Sequence, residues 1–570
     1  MNGVSYNERD SCSNNYIGDA ARCHDGIIKE LHFAPMLNVS TVEFHAFMRI
    51  LTKRCILWTE MIVDETIYFQ RYLIKEKETN SGNNCDFVDS NNKDDDNDNT
   101  SISSCDWTVP PHILYPVQNE DHPIVCQLGT IHPTWTSIAT QHILTANYNV
   151  NELNINLDCP SSRVQGKQFG AVLMQDVSKV IAFIQAIRQQ LPKDMCVSVK
   201  CRIGMIIDDT NSNRNDSTVA ATTIKTDYDW IVHFIKEISS VCQRFILHAR
   251  PVILNGLQKH INNNNNSSSC SNNISPAQNR CIPPLNYTWV YRLCNEFPDC
   301  NFIINGGISD LISAEKICYG VTDDNMVLVP QSISSDGIYQ GHGVPCSKCQ
   351  QLHPNVKYGS CIVPPMYPAP SNLRGCMIGR AAMDHPIQFA KVDHFWYNDY
   401  STCIANTKAT TRRQVLQQYC QFLDKLYPRR CCDNFDTIIT SEIPAPNIEG
   451  LRPFCSICKE FRQSPFVRNC NDDDNLVATT TPTAVRSECL QQSDQHPANT
   501  IKIATRIIDR SLKSILNIFH GCNGSKAFRY NCEILRRCTL IRNCGPAYIL
   551  YHASIQQSNV SDEILDESII

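Results

Sequence analysis

Residues 152–203, ELNINLDCPSSRVQGKQFGAVLMQDVSKVIAFIQAIRQQLPKDMCVSVKCRI, contain two short apolar runs that flank one amphipathic segment. The runs ELNINL at 152–157 and VSVKCRI at 197–203 have the length and composition of buried strands. Between them, Val180, Ile184 and Ile187 recur at helical spacing. A strand, a helix and a second strand in this order predict a βαβ unit with parallel strands.

The same alternation extends in both directions along the chain. The apolar runs that we interpret as strands are HFAPML (32–37), LWTEMI (57–62), IVCQLG (124–129), ELNINL (152–157), VSVKCRI (197–203), FILHAR (245–250), FIINGGI (302–308) and GCMIGR (375–380). Eight strands that alternate with helices predict a closed parallel barrel, so we assign the α/β class and a (β/α)8 TIM barrel.

The barrel region has the expected length once four polar tracts are set aside. Residues 28–400 contain tracts near 79–105, 208–226, 259–279 and 320–372, of which INNNNNSSS at 261–269 is the clearest. Such tracts bury too little apolar surface to join a core, and loops tolerate insertions at small cost. About 250 residues remain, which is the usual length of this fold. We therefore predict a barrel domain at 28–400 with four disordered insertions.

A different pattern follows residue 400. Val415, Leu416, Tyr419 and Leu423 recur at helical spacing, and residues 501–537 also have a helical pattern. These features predict a small helical domain at 405–545, interrupted by an insertion near 430–500 and followed by a tail at 546–570.

Charge along the chain points to a polyanionic partner. The net charge is −6, but residues 501–542 carry nine Lys or Arg against Asp509 and Glu533. A basic helical segment is the electrostatic pattern that nucleic-acid binding requires. A charge-rich helix is more often only a solvated face, so the charge by itself leaves nucleic-acid binding and a plain solvated surface both open.

Several protein classes are disfavoured by composition. The chain has 31 cysteines without a secretory h-region at its start, which fits a reducing compartment better than a disulfide scaffold. It also lacks an apolar run of the ~18 residues that a membrane span needs. We expect a monomeric cytoplasmic protein without a membrane partner, with an organelle left open.

Polar residues and glycines occur at nearly every predicted strand end. They are Pro35 and Met36, Glu60, Gln127, Asn156 with Cys159, Lys200 with Arg202, His248 with Arg250, Asn305 with Gly306 and Gly307, and Gly379 with Arg380. In a barrel the carboxyl ends of the strands line the active site. The glycines would let backbone N–H groups approach a phosphate, and Lys200 could stabilise negative charge on a reduced ring. This set predicts a flat, phosphate-bearing cofactor such as flavin mononucleotide (FMN).

The motifs that carry these residues resemble the tRNA-dihydrouridine synthase family, and within it the A-type that acts at D-loop positions 20 and 20a. The matching segments are APML (34–37), WTEM (58–61), HPIVCQLG (122–129), ELNINLDCPSSRVQGKQFGAVLM (152–174), VSVKCRIG (197–204), FILHAR (245–250), IPPLNYTWVYRL (282–293), NFIINGGI (301–308), GCMIGRAAMDHP (375–386) and IIDRSLKSILNIFHGCNGSKAFR (507–529). The resemblance covers nearly everything except the insertions.

The resemblance implies roles for individual residues. It implies reduction of the C5–C6 double bond of a flipped uridine, with NADPH as reductant, Cys159 as proton donor and Asn156 in contact with the base. It places Arg202 and Arg250 near flavin phosphate or tRNA, and it implies tRNA contacts for Lys513 and Arg529 in the helical domain. The residues that it assigns to FMN are Pro35, Met36, Gln127, Lys200, His248, Asn305, Gly306, Gly307, Gly379 and Arg380.

Two positions depart from the family pattern. Asp158 stands where the family usually has Gly before the cysteine, and Thr130 stands where a second Gly usually follows QLG. Aspartate can adopt the left-handed backbone that Gly permits, but its charge should oppose a nearby phosphate and disfavour a thiolate at Cys159. We expect this departure to affect activity more than fold.

Two other functions stay open at this point. One is an FMN barrel reductase that acts on a free pyrimidine, which would not need a basic helical domain. The other is a catalytically silent tRNA-binding protein. Zinc-like spacing occurs at Cys346, Cys349, His353 and Cys361, but no matching Cys-x2-Cys pair follows, so we expect ordinary thiols and no metal.

Overall fold

A computed structural model provides the fold. It describes residues 28–69, 123–145, 148, 150–209, 222–225, 227–254, 278–280, 285–319, 369–397, 409–427, 498–537, 545–551, 553–554 and 560–570. The four predicted insertions, the segment 430–500 and the cysteine cluster at 346–361 lie mainly or wholly outside these residues.

Every predicted strand run contains a strand. The strands are β1 (Glu30–Phe33), β2 (Leu57–Trp58), β3 (Ile62–Val63), β4 (Ile124–Gly129), β5 (Glu152–Leu157), β6 (Cys196–Arg202), β7 (Met205–Asp209), β8 (Thr222–Lys225), β9 (Arg244–His248), β10 (Val252–Leu254), β11 (Asn301–Asn305) and β12 (Leu373–Ile378). The main sheet is parallel, in the order β1-β12-β11-β9-β6-β5-β4-β2, with β3 also paired to β4. A parallel bridge between His32 and Ile56 links β1 to the residues before β2. The ring confirms the (β/α)8 barrel.

Helices alternate with the barrel strands and then form a separate group. They are α1 (Val42–Leu51), α2 (Pro133–Thr145), α3 (Ser162–Gly166), α4 (Val177–Arg188), α5 (Tyr228–Ser239), α6 (Tyr287–Glu296), α7 (Leu311–Tyr319), α8 (Ala381–Asp384), α9 (Val392–Phe395), α10 (Arg412–Leu426), α11 (Ala498–Ile515), α12 (Ser525–Arg537), α13 (Gly545–Tyr551) and α14 (Asp562–Asp566). Helix α4 confirms the first βαβ unit, because Val180, Ile184 and Ile187 are fully buried. Within the described residues, no helix is both long and apolar enough to cross a membrane.

The run LWTEMI is two strands rather than one. Trp58 pairs with Val125, and Ile62 pairs with Leu128. The chain therefore advances four residues from Trp58 to Ile62 but only three along β4. The extra residue forms a bulge that contains Thr59 and Glu60. Thr59 Oγ1 accepts from the backbone N–H of Gln127 at 3.1 Å, which joins the bulge to β4.

A small second sheet extends the barrel. β7 pairs with β8 in antiparallel fashion and with β10 in parallel fashion. β7 and β10 follow β6 and β9 directly, so this sheet lies beyond the carboxyl ends of two barrel strands. The predicted insertion at 208–226 therefore begins and ends in paired strands.

The helices that follow residue 409, which we call the helical domain, pack on the barrel through α1. Helices α10 and α11 contact α1, and α13 packs against α10, α11 and α12. The expectation of a tail at 546–570 is corrected, because Tyr548, Ile549 and Leu550 of α13 are at most 1% exposed. This apolar run completes the core that the faces of α10 and α11 begin, and α14 contacts α10.

Candidate active site

The strand registers bring the predicted site residues to one end of the barrel. Asn156 on β5 pairs with Lys200 on β6, and Arg202 on β6 pairs with His248 on β9. His248 in turn pairs with Asn305 on β11. Because side chains alternate across a strand, these residues share the inner face with Gln127 on β4.

Amides on the inner face form a continuous hydrogen-bonded chain. Asn154 donates to Ser198 Oγ at 2.7 Å and accepts from Gln127 Nε2 at 2.9 Å. Asn156 Nδ2 then donates to Gln127 Oε1 at 2.8 Å. Each amide therefore fixes the orientation of the next one. Asn154 was not predicted from the sequence, although its place two residues before Asn156 puts it on the same face.

Asn156 also shapes the loop that carries Cys159. Its Oδ1 accepts from the backbone N–H groups of Asp158 and Cys159 at 3.2 and 3.0 Å. Ser161 Oγ caps helix α3 by accepting from Val164 N–H. The Cys159 carbonyl accepts from Ala171 N–H at 3.1 Å, and the Cys159 side chain is partly exposed. A partly exposed thiol at the mouth of the barrel is therefore held in place by backbone contacts.

Close packing at the Cys159 loop requires a glycine. Gly170 has φ of +70°, and a Cβ there would lie 2.8 Å from the Cys159 carbonyl oxygen. The sequence analysis did not single out this glycine. Its position in QFGAVLM within the family segment was the available signal.

Asp158 is the centre of an ion-pair cluster. Its carboxylate accepts from Lys200 Nζ, from Arg202 Nε at 2.5 Å and from His248 Nδ1 at 3.1 Å. Burial would raise the pKa of the Asp158 carboxyl, but the Lys200 and Arg202 cations outweigh burial and hold this pKa well below its usual range. The charge that was expected to oppose a phosphate is therefore already compensated within the protein.

His248 is neutral in this cluster. Burial and the nearby Arg202 charge lower the pKa of His248 to about 3, although Asp158 acts in the opposite direction. An ionised carboxylate can only accept, so the Nδ1 of the neutral ring carries the proton. The Nε2 atom is then left as an acceptor.

The two arginines predicted near phosphate or tRNA lie inside the barrel mouth. Arg202 is 2% exposed and, besides Asp158, donates to the carbonyl of Asn279 at 3.2 Å. Arg250 is 5% exposed. Both side chains are thus placed to influence a buried ligand rather than an external RNA backbone.

The predicted tRNA contacts of the helical domain lie on its surface. Lys513 on α11 is exposed and donates to the Asn38 carbonyl, in the loop after β1, at 2.9 Å. Arg529 on α12 is exposed, as is its neighbour Tyr530 at 63%. Arg510 and Arg536, in contrast, form ion pairs with Glu43, Asp509 or Glu533. The exposed positive charge is therefore smaller than the sequence count implies.

Glycines line the opposite wall of the mouth. Gly306 and Gly307 have φ of +112° and +71°, and a Cβ on Gly306 would lie 2.7 Å from His248 Cδ2. Gly379 is different, since a Cβ there would contact only Ala34, at 3.8 Å. The Ala34 N–H donates to the Ile378 carbonyl at 2.8 Å, so the end of β1 lies beside the end of β12. Pro35 and Met36 come directly after Ala34 in the chain. Arg380 is exposed at the start of α8.

This donor set fits FMN. A flat ring with carbonyl and imide groups needs amide partners and a cation, which Gln127, Asn305 and Lys200 provide. Open space above Gly379 suits a ligand that approaches the backbone closely. The structure therefore brings together the residues assigned to FMN, and Asp158 is the member of the site that this assignment did not include.

Glu60 is a further titratable group near the mouth. Its carboxylate accepts from backbone N–H groups of Asn38 and Val39, and burial raises the pKa of Glu60 to about 7. The bulge between β2 and β3 places it there. Among the described residues, no cluster of His, Cys, Asp and Glu could hold a metal ion.

Comparisons with known proteins show what this region is similar to. Residues 110–329 match the family model Dihydrouridine synthase (Dus). Proteins named tRNA-dihydrouridine(20/20a) synthase are about 30% identical: that of Shewanella oneidensis over 283 residues, that of Vibrio vulnificus over 288 and that of Escherichia coli K12 over 284. Each match covers 50% of this chain and, in the same order, 61%, 64% and 60% of the relative. The chain thus spans less than two thirds of the length of these relatives. These matches agree with the resemblance seen in the motifs: residues 110–329 are similar to the dihydrouridine synthase family.

Proposed function

We propose that this protein is a tRNA-dihydrouridine synthase that reduces uridine at D-loop positions 20 and 20a, with FMN as cofactor and NADPH as reductant. The observation that carries the proposal is the position of Cys159. Cys159 lies at the barrel mouth on a loop fixed by Asn156, and the residue before it, Asp158, bonds to the Lys200 and His248 side chains assigned to the flavin. The names of the similar bacterial proteins support the substrate.

Each residue has a task in this proposal. When bound by these residues, FMN would supply a hydride for C6 of the uracil ring. Gln127 and Asn305 orient the cofactor, and Lys200 balances negative charge that develops on reduction. The Cys159 thiol donates its proton to C5, and the resulting thiolate regains a proton from water. An ordinary thiol is mostly protonated at neutral pH, which suits a general acid.

The uridine must leave its stack to reach this site. The reacting carbons of a stacked base are inaccessible, so the base is flipped into the barrel mouth. Lys513 lies beside this mouth, because it bonds to Asn38 in the loop after β1. Arg529 lies further along the helical domain. We propose that these cations bind tRNA phosphates while the barrel accepts the base; a monomeric state and the cytoplasm as compartment stay predictions.

The test uses the purified full-length protein. Its visible spectrum is recorded, and it is then incubated with unmodified tRNA transcript, FMN and NADPH. We expect a flavin spectrum and dihydrouridine at position 20 or 20a, measured by mass spectrometry of nuclease fragments. Reduction of free uracil but not of tRNA would favour a free-pyrimidine reductase. Binding of tRNA without product or flavin would favour a silent binding protein.

A further inference from the structure

The Asp158 carboxylate pairs with the basic side chains at the barrel mouth. It bonds to Lys200 and Arg202 on β6 and to His248 on β9. Its side chain is 16% exposed, whereas those of Lys200 and Arg202 are 4% and 2% exposed. The two buried cations therefore have a partly buried internal partner before any ligand binds.

The net charge of this cluster is lower than its basic residues imply. Lys200 and Arg202 each carry one positive charge, and His248 is neutral. A neutral residue at position 158 would leave a charge of two, whereas the aspartate reduces it to one. Because the cluster is buried, charges in it interact more strongly than they would in water.

The carboxylate is not needed to hold the Cys159 loop. The backbone at 158 is not in the left-handed region, where the structure places only Asn38 and Gln168 among described non-glycine residues. This corrects the expectation that Asp158 replaces a glycine in a left-handed conformation. Asn156 Oδ1 and the Ala171 N–H fix the loop through backbone atoms. The carboxylate is thus free to have an electrostatic task.

We propose that Asp158 is an internal counter-ion that weakens the hold of this site on the anionic parts of its flavin. This inference rests on the proposed function, since it takes FMN as the ligand. The anionic part is either the phosphate of FMN or the reduced ring. A more positive cluster would bind either of these anionic parts more tightly. The experiment below separates the phosphate from the reduced ring.

Asp158→Asn and Asp158→Gly test the proposal in the full-length chain. Asparagine keeps the shape of the side chain, and glycine removes it, so two variants guard against a folding defect in either. Asp299→Asn is the matched control, because it removes one exposed carboxylate in the loop before β11, at the opposite end of the barrel. Thermal unfolding is recorded for each protein.

Flavin binding and potential are the measurements. Dissociation constants for FMN and for riboflavin, which has no phosphate, are measured by fluorescence at low and high salt, and midpoint potentials by dye equilibration. A gain of about tenfold for FMN but not riboflavin assigns the effect to the phosphate. If a variant gains tenfold more affinity for reduced flavin than for oxidised flavin, relative to the wild type, the effect belongs to the ring. Such a change raises the midpoint potential by about 30 mV for a two-electron couple.

The contrary results are distinct. The counter-ion proposal is wrong if both Asp158 variants match the wild type in flavin affinity and midpoint potential. It is also wrong if both variants bind flavin more weakly. In either case the proposed function stands. If the wild type itself binds no flavin, the proposed function fails, and the inference fails with it. An Asp299→Asn protein that matches the Asp158 variants would show a general charge effect and also overturn the inference.

Discussion

Arg510 of the helical domain donates from Nε to Glu43 of the barrel at 3.0 Å, and the Glu43 side chain is fully buried. Tyr427 donates to the same carboxylate oxygen at 2.7 Å. Glu43 lies on α1, so this ion pair joins the two domains at the helix on which α10 and α11 pack. Arg510 and Lys513 lie on the same helix, α11, so the ion pair also positions Lys513 relative to the barrel.

Loss of Arg510 should destabilise the protein strongly. Arg510→Ala leaves a buried carboxylate without its cation, and we expect the free energy of unfolding to fall by about 3–5 kcal/mol. Arg413→Ala is the control, because Arg413 binds the exposed Asp562 and Asp566 and should change stability by about 0–1 kcal/mol. Urea denaturation measures both. Equal effects would mean that burial of the Glu43 pair has no energetic consequence.

Removal of the Cys159 thiol should stop catalysis without loss of cofactor. Cys159→Ala removes the general acid, and we expect dihydrouridine formation to slow by about 10²–10⁴-fold with an unchanged flavin spectrum. Cys196→Ala is the control, since Cys196 begins β6 at the opposite end of the barrel. Single-turnover reduction of tRNA is the measurement. Full activity in Cys159→Ala would show that another group or water donates the proton.

Acid should destabilise the fold through buried neutral histidines. Burial lowers the pKa of His45 to about 4, despite the hydrogen bond to the Trp58 carbonyl at 2.9 Å. In the unfolded chain His45 binds a proton below pH ~6.5, whereas in the folded protein it binds one only near pH 4. Between these values the free energy of unfolding therefore falls by about 1.4 kcal/mol for each unit by which the pH is lowered. His248 contributes in the same direction.

Substitution of His45 isolates its share of this acid effect. His45→Gln should reduce the slope of unfolding free energy against pH between pH 6 and 5. His233→Gln is the control substitution, because it removes a histidine whose side chain is 69% exposed. Urea unfolding at several pH values gives the slopes. Identical slopes in wild type and His45→Gln would contradict the prediction.

Exposed cations of the helical domain should bind tRNA through phosphates. Lys513→Glu and Arg529→Glu should weaken binding of tRNAs of different sequence to a similar extent and reduce the salt dependence by about one unit of slope each. Lys236→Glu, on the outer barrel helix α5, is the control for charge. Filter binding at several salt concentrations measures this. A salt slope that no variant changes would place the RNA surface elsewhere.

The turn after β11 should tolerate no side chain. Gly307 has φ of +71°, and a Cβ there would collide with Leu285. We expect Gly307→Ala to cost about 2–4 kcal/mol from backbone strain and overpacking, and to impair flavin binding. Gly166→Ala, where a Cβ meets nothing within 4 Å, should do neither. Denaturation and flavin titration test both variants, and equal stability would contradict the strain argument.

Local patterns predicted most of the barrel. Each predicted apolar run contained a strand, because a short apolar run bounded by polar, Gly or Pro residues is a local signal. The bulge at Glu60 was missed, since one extra residue does not disturb an apolar pattern. Helix α13 was also missed, because its burial depends on the faces of α10 and α11, which lie far away in sequence.

The sequence by itself determined which residues lie at strand ends, and so which side chains meet at the mouth of the barrel. Strand period and barrel topology suffice for this, as the positions of Gln127, Asn156, Lys200 and His248 show. Only the tertiary structure decided how those side chains pair. Lys200, Arg202 and His248 are 42, 44 and 90 residues from Asp158, so the pairing of the neighbouring strands β5, β6 and β9 brings their charges together. The Asp158 charge is thereby paired with buried cations that would otherwise face an anionic ligand.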